Sequence, residues 1–149
     1  MTILETVIAA TLVSVAIVAA VSLSTNTQKE TSYARDLSLA TKHNAGALDW
    51  LKRLRAEMGW FAFVREVQED GGSPTYCVSV MPDTSVGFAA LSSSSESACS
   101  GEVIAGTSFY RVARLTLGSP PDYVDVVITT YFGGDSNRSV ATETRLSNY

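Results

Sequence analysis

The chain has 149 residues, which suffices for one domain of ordinary size and excludes a large multidomain enzyme. It carries 15 acidic and 11 basic side chains, for a formal net charge of −4, and it has no run of Lys or Arg to hold a phosphate backbone. We therefore expect no direct nucleic-acid site. Apolar residues make up 46% of the chain, and they are concentrated at its N-terminus.

The first 23 residues form an almost continuous apolar segment, in which 17 residues are apolar and Glu5 is the one charge. As a helix, this segment would span about 35 Å, against about 30 Å for the hydrocarbon core of a bilayer. A cleaved signal peptide, a permanent single-pass anchor and a helix that packs with copies of itself all fit this length. A signal peptide opens on a basic stretch, whereas no Lys or Arg precedes Lys29. We therefore predict a retained transmembrane or filament-core helix over 1–28.

Glu5 distinguishes between an inert anchor and a helix that assembles. A charge inside a bilayer costs on the order of 3 kcal/mol near the centre of a helix, and an inert anchor would not need it. Its place in the first turn suits the positive end of the helix dipole, which would tolerate a carboxylate there. The alternative is that Glu5 neutralises a cation in an apolar interior. The nearest candidate is the α-amino group of Met1 in an adjacent copy. Such a pair would set the register between copies.

The N-terminal residues resemble the mature N-terminus of a type IV pilin. The resemblance rests on a free hydrophobic first residue and on the apolar run after position five, with the sequence Met1-Thr2-Ile3-Leu4-Glu5 at its start. In that family a prepilin peptidase removes a short basic leader, and the new first residue is N-methylated. The glutamate at position five guides the subunit into the filament. The resemblance thus implies an N-methylated Met1 and an assembly role for Glu5.

The same resemblance implies that the protein functions by assembling. It implies a homopolymer whose helices form the core of a surface filament, with the subunit held in the cytoplasmic membrane before a pilus assembly machinery takes it up. The implied functions are adhesion, twitching motility and DNA uptake. The implied partners are surfaces or other cells. A pseudopilin of a secretion system is a related alternative. A single-pass membrane protein presenting a small extracytoplasmic binding domain is the alternative from another class.

The segment 29–58 has the pattern of an amphipathic helix, with apolar residues recurring mostly every three or four positions. Gly59 is a natural stop, and the first proline of the chain is Pro74. A helix continuous from Met1 to Met58 would be about 85 Å long, which an ordinary globular domain does not need. The apolar positions are Tyr33, Leu37, Ala40, Ala47, Leu48, Leu51, Leu54 and Met58.

Beyond Gly59 the pattern changes to short runs of alternating apolar and polar residues between turn signals. It predicts a sheet over 60–149 that completes, with the amphipathic helix, a globular head over 29–149. The fold class is α+β, a long N-terminal helix packed on an antiparallel sheet. The clearest element is a C-terminal hairpin of the last two strands. The predicted strands are 61–67, 75–81, 86–91, 109–117, 123–132 and 139–146.

Cys77 and Cys99 are the only cysteines of the chain. An even pair beside an export-type N-terminus favours a disulfide over two buried free thiols. A bridge across this separation would stabilise the fold by roughly 3 kcal/mol, through the entropy of the unfolded chain. Asn137 opens an Asn-Arg-Ser sequon on a predicted turn, so it is a possible glycosylation site.

No catalytic, metal-binding or cofactor-binding pattern stands out, so we expect no enzyme, no metal and no cofactor. His43 is the one histidine, and a metal or a catalytic triad would need partners for it. No serine stands in a Gly-x-Ser-x-Gly sequence. The aromatic cluster where helix and sheet should meet indicates core packing rather than a binding patch, and comprises Trp50, Trp60, Phe61 and Phe63.

Overall fold

A computed structural model describes residues 2–82, 87–88, 91, 93–119, 122–133 and 138–148. Helix α1 spans Ile3–Met58, 56 residues without interruption, as the absence of proline and the helical spacing predicted. The contacts within the chain divide it into two units, Met1–Asp36 and Leu37–Tyr149. The two units are described separately below.

The first unit is helical from Ile3 onwards and has no core of its own. Every described residue from Thr2 to Arg35 is exposed. Its helical state therefore rests on backbone hydrogen bonds and on the helix propensity of its Ala and Leu residues, not on burial within this chain.

The second unit combines the C-terminal part of α1 with a second helix, a short 3-10 helix and, among the described residues, a four-stranded antiparallel sheet. This is the α+β fold predicted from the sequence. Helix α2 spans Trp60–Glu69, and the 3-10 helix spans Glu96–Gly101. The strands are β1, Thr75–Cys77; β2, Tyr110–Leu117; β3, Tyr123–Tyr131; and β4, Ser139–Ser147.

Strand order in the sheet follows chain order, from β1 at one edge to β4 at the other. Ile128 of β3 lies opposite Ala113 of β2 and Thr142 of β4, which fixes the register of the three long strands. One face of the sheet packs against α1 and α2. The core between them is apolar and includes Ala47, Trp50, Leu51 and Leu54 of α1, Phe63 and Val67 of α2, and Leu115, Val124, Val126 and Ile128 of the sheet.

The last three predicted strands are confirmed to within about a residue at each end. The predicted segments 109–117, 123–132 and 139–146 correspond to β2, β3 and β4. Burial alternates strictly along β3, as expected for a strand that is covered on one face.

The predicted strand 61–67 is wrong, because these residues belong to helix α2. Gly59 ends α1 with a positive φ of 79°, a conformation that suits glycine, and the chain resumes a helix at Trp60. The buried residues of α2 recur at the helical spacing of three and four, whereas Phe61 is 84% exposed. The high aromatic and β-branched content favoured a strand, but the tertiary burial follows the helical period. The buried set is Trp60, Phe63, Val64 and Val67.

Two further strand predictions are corrected. The segment 75–81 is a strand only over Thr75–Cys77, although the Val78 amide still donates to the carbonyl of Arg111 on β2. Beyond that bond the chain leaves the sheet, and Pro82 has no backbone N–H with which to continue the ladder. The segment 86–91 lies partly outside the described residues. Its described residues, Gly87, Phe88 and Leu91, are not in a strand.

Candidate functional site

The most conspicuous surface of the first unit is the apolar start of α1. Every Val, Ile and Leu from Ile3 to Leu23 is exposed, with exposed fractions between 51% and 86%. The most apolar window of α1 has a mean hydropathy of 2.4 and no buried residue, and α1 is the one described helix long and apolar enough to cross a membrane. Apolar surface on this scale marks a site that a membrane or another protein covers.

Three of the hydroxyl groups in this apolar segment bond to carbonyls of the helix itself. Thr6 and Thr11 donate to the carbonyls of Ile3 and Ile8 at 2.8 Å, and Ser14 donates to the carbonyl of Ala10 at 2.8 Å. A hydroxyl that is bonded to its own backbone adds little cost when the surrounding water is removed. These three hydroxyls can therefore leave water at little cost, whereas the carboxylate of Glu5 cannot.

Glu5 lies in the first turn of α1, where its amide donates to the carbonyl of Thr2 at 3.0 Å. The side chain is exposed, and no described residue forms an ion pair or a side-chain hydrogen bond with its carboxylate. Met1, the other residue of the predicted assembly pair, lies outside the described residues. The carboxylate is thus the single charge on the apolar segment from Ile3 to Leu23.

Cys77 and Cys99 form a disulfide, with an S–S distance of 2.01 Å. The bridge joins β1 to the 3-10 helix, and the amide of Ser94 donates to the carbonyl of Thr75 at 2.8 Å nearby. These two links cover the outer edge of β1. The bridge therefore has a structural place in the head, and it holds a segment of several serines against the sheet.

Two buried polar residues of the second unit were not predicted from the sequence. Asn44 is fully buried on α1 and hydrogen-bonds to Thr130 on β3 and to Thr142 on β4, while Arg111 on β2 is 2% exposed. Each occupies a core-facing position of its own element. Position in the pattern was the available signal. Asn44 falls in the apolar stripe of α1 between Ala40 and Ala47, and Arg111 shares a face of β2 with the core residues Ala113 and Leu115.

Arg111 connects three parts of the head through backbone carbonyls. Its guanidinium donates from Nε and Nη2 to the carbonyl of Val78, at 3.0 Å and 2.6 Å, and from Nη1 to the carbonyl of His43 at 2.5 Å. Burial lowers the pKa of Arg111 to about 10. The arrangement tethers α1 to the sheet through backbone carbonyls.

Most of the other sequence candidates in the head are part of its packing, but Phe61 of the predicted aromatic cluster is exposed, because it lies on the outer side of α2. His43 stacks edge-on against Phe109 with ring centroids 6.0 Å apart, and burial, followed by the charge of Arg111, lowers its pKa. Trp50 is buried and donates from its indole to the carbonyl of Pro82 at 2.8 Å. The sequon residue Asn137 lies outside the described residues. Among described His, Cys, Asp and Glu side chains, no group of three is placed to hold a metal ion.

Comparisons with protein families, with curated proteins and with solved structures find no match. The functional assignment therefore rests on this chain's own residues. The residues that bear on it are the exposed apolar segment Ile3 to Leu23 and the single carboxylate of Glu5 within it.

Proposed function

We propose that this chain is the structural subunit of a surface filament of the type IV pilus class, and that it polymerises through its apolar N-terminal helix. The observation that carries the proposal is the fully exposed apolar surface from Ile3 to Leu23, with Glu5 as its one charge. The pilin resemblance at Met1 to Glu5 supports the choice of filament. Adhesion, motility and DNA uptake are the uses that this class of filament serves.

The physical driving force is the removal of the apolar helix surface from water. Full burial of one Val, Leu or Ile side chain stabilises by about 1.5–3 kcal/mol, and the segment exposes every one it has. A bilayer covers this surface in the monomer, and a bundle of identical helices covers it in a filament. Because the hydroxyls of Thr6, Thr11 and Ser14 are already bonded within the helix, neither environment leaves these three unsatisfied.

Glu5 favours the filament over the membrane as the environment of the apolar helix. In a bilayer the carboxylate lacks a partner and costs on the order of 3 kcal/mol, whereas in a bundle it can pair with the α-amino group of Met1 in an adjacent copy. The pair fixes the axial register, because only one stagger between neighbouring helices brings the two charges together. An inert single-pass anchor has no use for such a charge.

The direct test replaces Glu5 and measures filament assembly. In Glu5→Leu, we expect a folded, membrane-inserted protein whose yield in the sheared filament fraction falls at least about tenfold. The reason is that the α-amino group of Met1 would be buried without its partner, which costs about 3–5 kcal/mol. Glu30→Gln is the matched control, because Glu30 is an exposed carboxylate on the polar part of the same helix. Its filament yield should equal that of the unchanged protein. Wild-type yield in Glu5→Leu contradicts the proposal.

Mass spectrometry of the N-terminal peptide distinguishes the filament from the rival class of protein. The proposal expects an N-methylated Met1 with no preceding residues in the material that shearing releases from cells. A chain found only in membranes, with an unmethylated N-terminus and no sheared fraction, would instead be a single-pass anchor that presents an extracytoplasmic binding domain.

A further inference from the structure

The two edges of the sheet differ in a way that the filament proposal does not explain. The β1 edge is three residues long and is covered by Ser94 and by the disulfide to Cys99. The β4 edge is nine residues long, and within the described part of the chain no strand other than β3 pairs with β4. Long uncovered edges are sites where another strand can add.

The backbone of β4 points its free hydrogen-bonding groups outward at the odd-numbered residues. The amide of Phe132 donates to the carbonyl of Arg138, which lies directly opposite it. Because hydrogen-bonded and non-hydrogen-bonded pairs alternate along the ladder, the even-numbered residues of β4 are the ones that hydrogen-bond to β3. The amides and carbonyls of Ala141, Glu143, Arg145 and Ser147 therefore face the open side. No described group hydrogen-bonds to them there.

We propose that β4 pairs with β4 of a second copy of this chain, antiparallel, about a two-fold axis at Thr144. This register places Glu143 opposite Arg145 of the second copy, and Arg145 opposite its Glu143. Ala141 and Ser147 face each other in the same way. Four of the outward residues of each strand, those from Ala141 to Ser147, form hydrogen-bonded pairs, with about eight backbone hydrogen bonds in all.

Charge selects this register over its neighbours. The outward groups allow only registers that pair odd residues with odd residues. Shifting the axis by one residue in one direction would place Glu143 against Glu143, and in the other direction Arg145 against Arg145. Like charges directly opposite each other destabilise a strand pair, whereas opposite charges stabilise it. The axis at Thr144 is therefore the register that contains two Glu143–Arg145 pairs and no pair of like charges.

The contacts that Arg145 already makes fit this pairing. Its guanidinium bonds to both carboxylate oxygens of Asp125 on β3, at 2.7 Å and 3.2 Å, and lies 3.9 Å from the centroid of the Tyr123 ring. These contacts hold the side chain over the outer face of the sheet. When two copies pair, Arg145 lies between Asp125 of its own chain and Glu143 of the second copy. Charges therefore alternate in sign across the joint sheet.

The pairing joins two heads and uses no residue of the apolar segment. It is therefore separate from assembly through α1, and it would connect subunits of neighbouring filaments or two subunits in one membrane. We expect it to persist in Glu5→Leu, so the failure of one proposal leaves the other standing.

Cysteine cross-linking of the full chain in detergent micelles tests the register. Thr144→Cys places two thiols directly opposite each other at a non-hydrogen-bonded pair. The Cα atoms of such a pair lie about 4.5 Å apart, within the range for a disulfide. Thr142→Cys is the matched control on the same face of β4, because this register separates its two copies by about 14 Å. Mild oxidation should yield a covalent dimer with Thr144→Cys and not with Thr142→Cys.

Charge reversal then tests the recognition. In the Thr144→Cys chain, Glu143→Arg should lower the dimer yield about tenfold, whereas Glu102→Arg, an exposed site away from β4, should leave it unchanged. Arg145→Glu alone should lower it similarly. Mixing the Glu143→Arg and Arg145→Glu chains should restore the yield as a mixed dimer, because every opposed pair then has opposite charges.

The proposal is overturned if Thr142→Cys cross-links as well as Thr144→Cys, or if neither does while near-ultraviolet circular dichroism shows a native head. It is also overturned if the mixed chains do not recover the yield. Sedimentation of the Glu143→Arg chain without any new cysteine provides a second measurement, and association as strong as that of Glu102→Arg would contradict the pairing.

Discussion

Asn44 and Arg111 lie between α1 and the sheet, where most neighbours are apolar. The Asn44 amide donates from Nδ2 to the carbonyl of Val140 at 2.9 Å and to Thr142 at 3.1 Å, and its oxygen accepts from Thr130 at 2.6 Å. Together these bonds hold one helix position against two adjacent strands. Apolar packing tolerates sliding, but a directional network of this kind fixes the register of the helix on the sheet.

Replacing Asn44 should cost more than an isolated hydrogen bond. We expect Asn44→Ala to lower the free energy of unfolding by about 2 kcal/mol, because it leaves the buried Thr130 hydroxyl without its acceptor. Chemical denaturation in micelles, followed by Trp fluorescence, measures the change. Thr130→Val removes the orphaned group, so the double variant should lose less than the sum of the two single losses. Strict additivity would show that the two side chains do not act as a unit.

At the scale of the elements, α2 and the disulfide show how the head compensates for a small sheet. Helix α2 adds Phe63 and Val67 to the core that α1 begins, and the ring of Phe63 stacks on Phe88 at 5.9 Å. The bridge from Cys77 to Cys99 secures the shortest strand. Since β1 has three residues, its backbone bonds alone would hold this edge weakly.

Loss of the bridge should therefore soften one edge and leave the hairpin of β3 and β4 intact. We expect Cys77→Ser with Cys99→Ser to lower the free energy of unfolding by about 3 kcal/mol and to speed proteolysis between the two positions. Reductant should shift the unfolding midpoint of the unchanged protein and leave that of the double serine variant where it is. Identical midpoints of the unchanged protein with and without reductant would count against this role.

The two units of the molecule differ in what stabilises them. The unit Leu37–Tyr149 has a packed core, whereas no described residue of Met1–Asp36 is buried. The core is held by the hydrophobic effect within the chain, and the first unit depends on whatever covers its apolar surface. The two parts should therefore respond differently to denaturing conditions.

In micelles we expect heating to unfold the head before the N-terminal helix. Both tryptophans, Trp50 and Trp60, lie in the second unit, so their near-ultraviolet signal reports the head alone. That signal should vanish in one transition while far-ultraviolet ellipticity retains the helical part contributed by the first unit, because detergent still covers it. Coincident loss of both signals would show that the two units unfold together.

The predictions from sequence succeeded where a local pattern and the tertiary environment agree. The run from Ile3 to Met58 has no proline and has helical spacing in its second half, and the hairpin has a strict period of two. They failed over 61–67, where an aromatic-rich run of ten residues or fewer fits either period. Glu5 was singled out because a charge in an apolar run is conspicuous, and its role in assembly stays a prediction. Asn44 and Arg111 were missed because a polar residue in a stripe shows its burial only once its partners are in place.

The sequence by itself determined the long helix, its apolar first part with Glu5, the C-terminal hairpin and the pairing of Cys77 with Cys99, since each depends on composition or short-range spacing. Only the tertiary structure decided that Arg111 is buried on carbonyls, that 60–69 is a helix, and that β4 is the open edge of the sheet. Each of these depends on residues distant in the chain. Burial, strand order and hydrogen-bond partners are properties of the packed whole, and no local pattern encodes them.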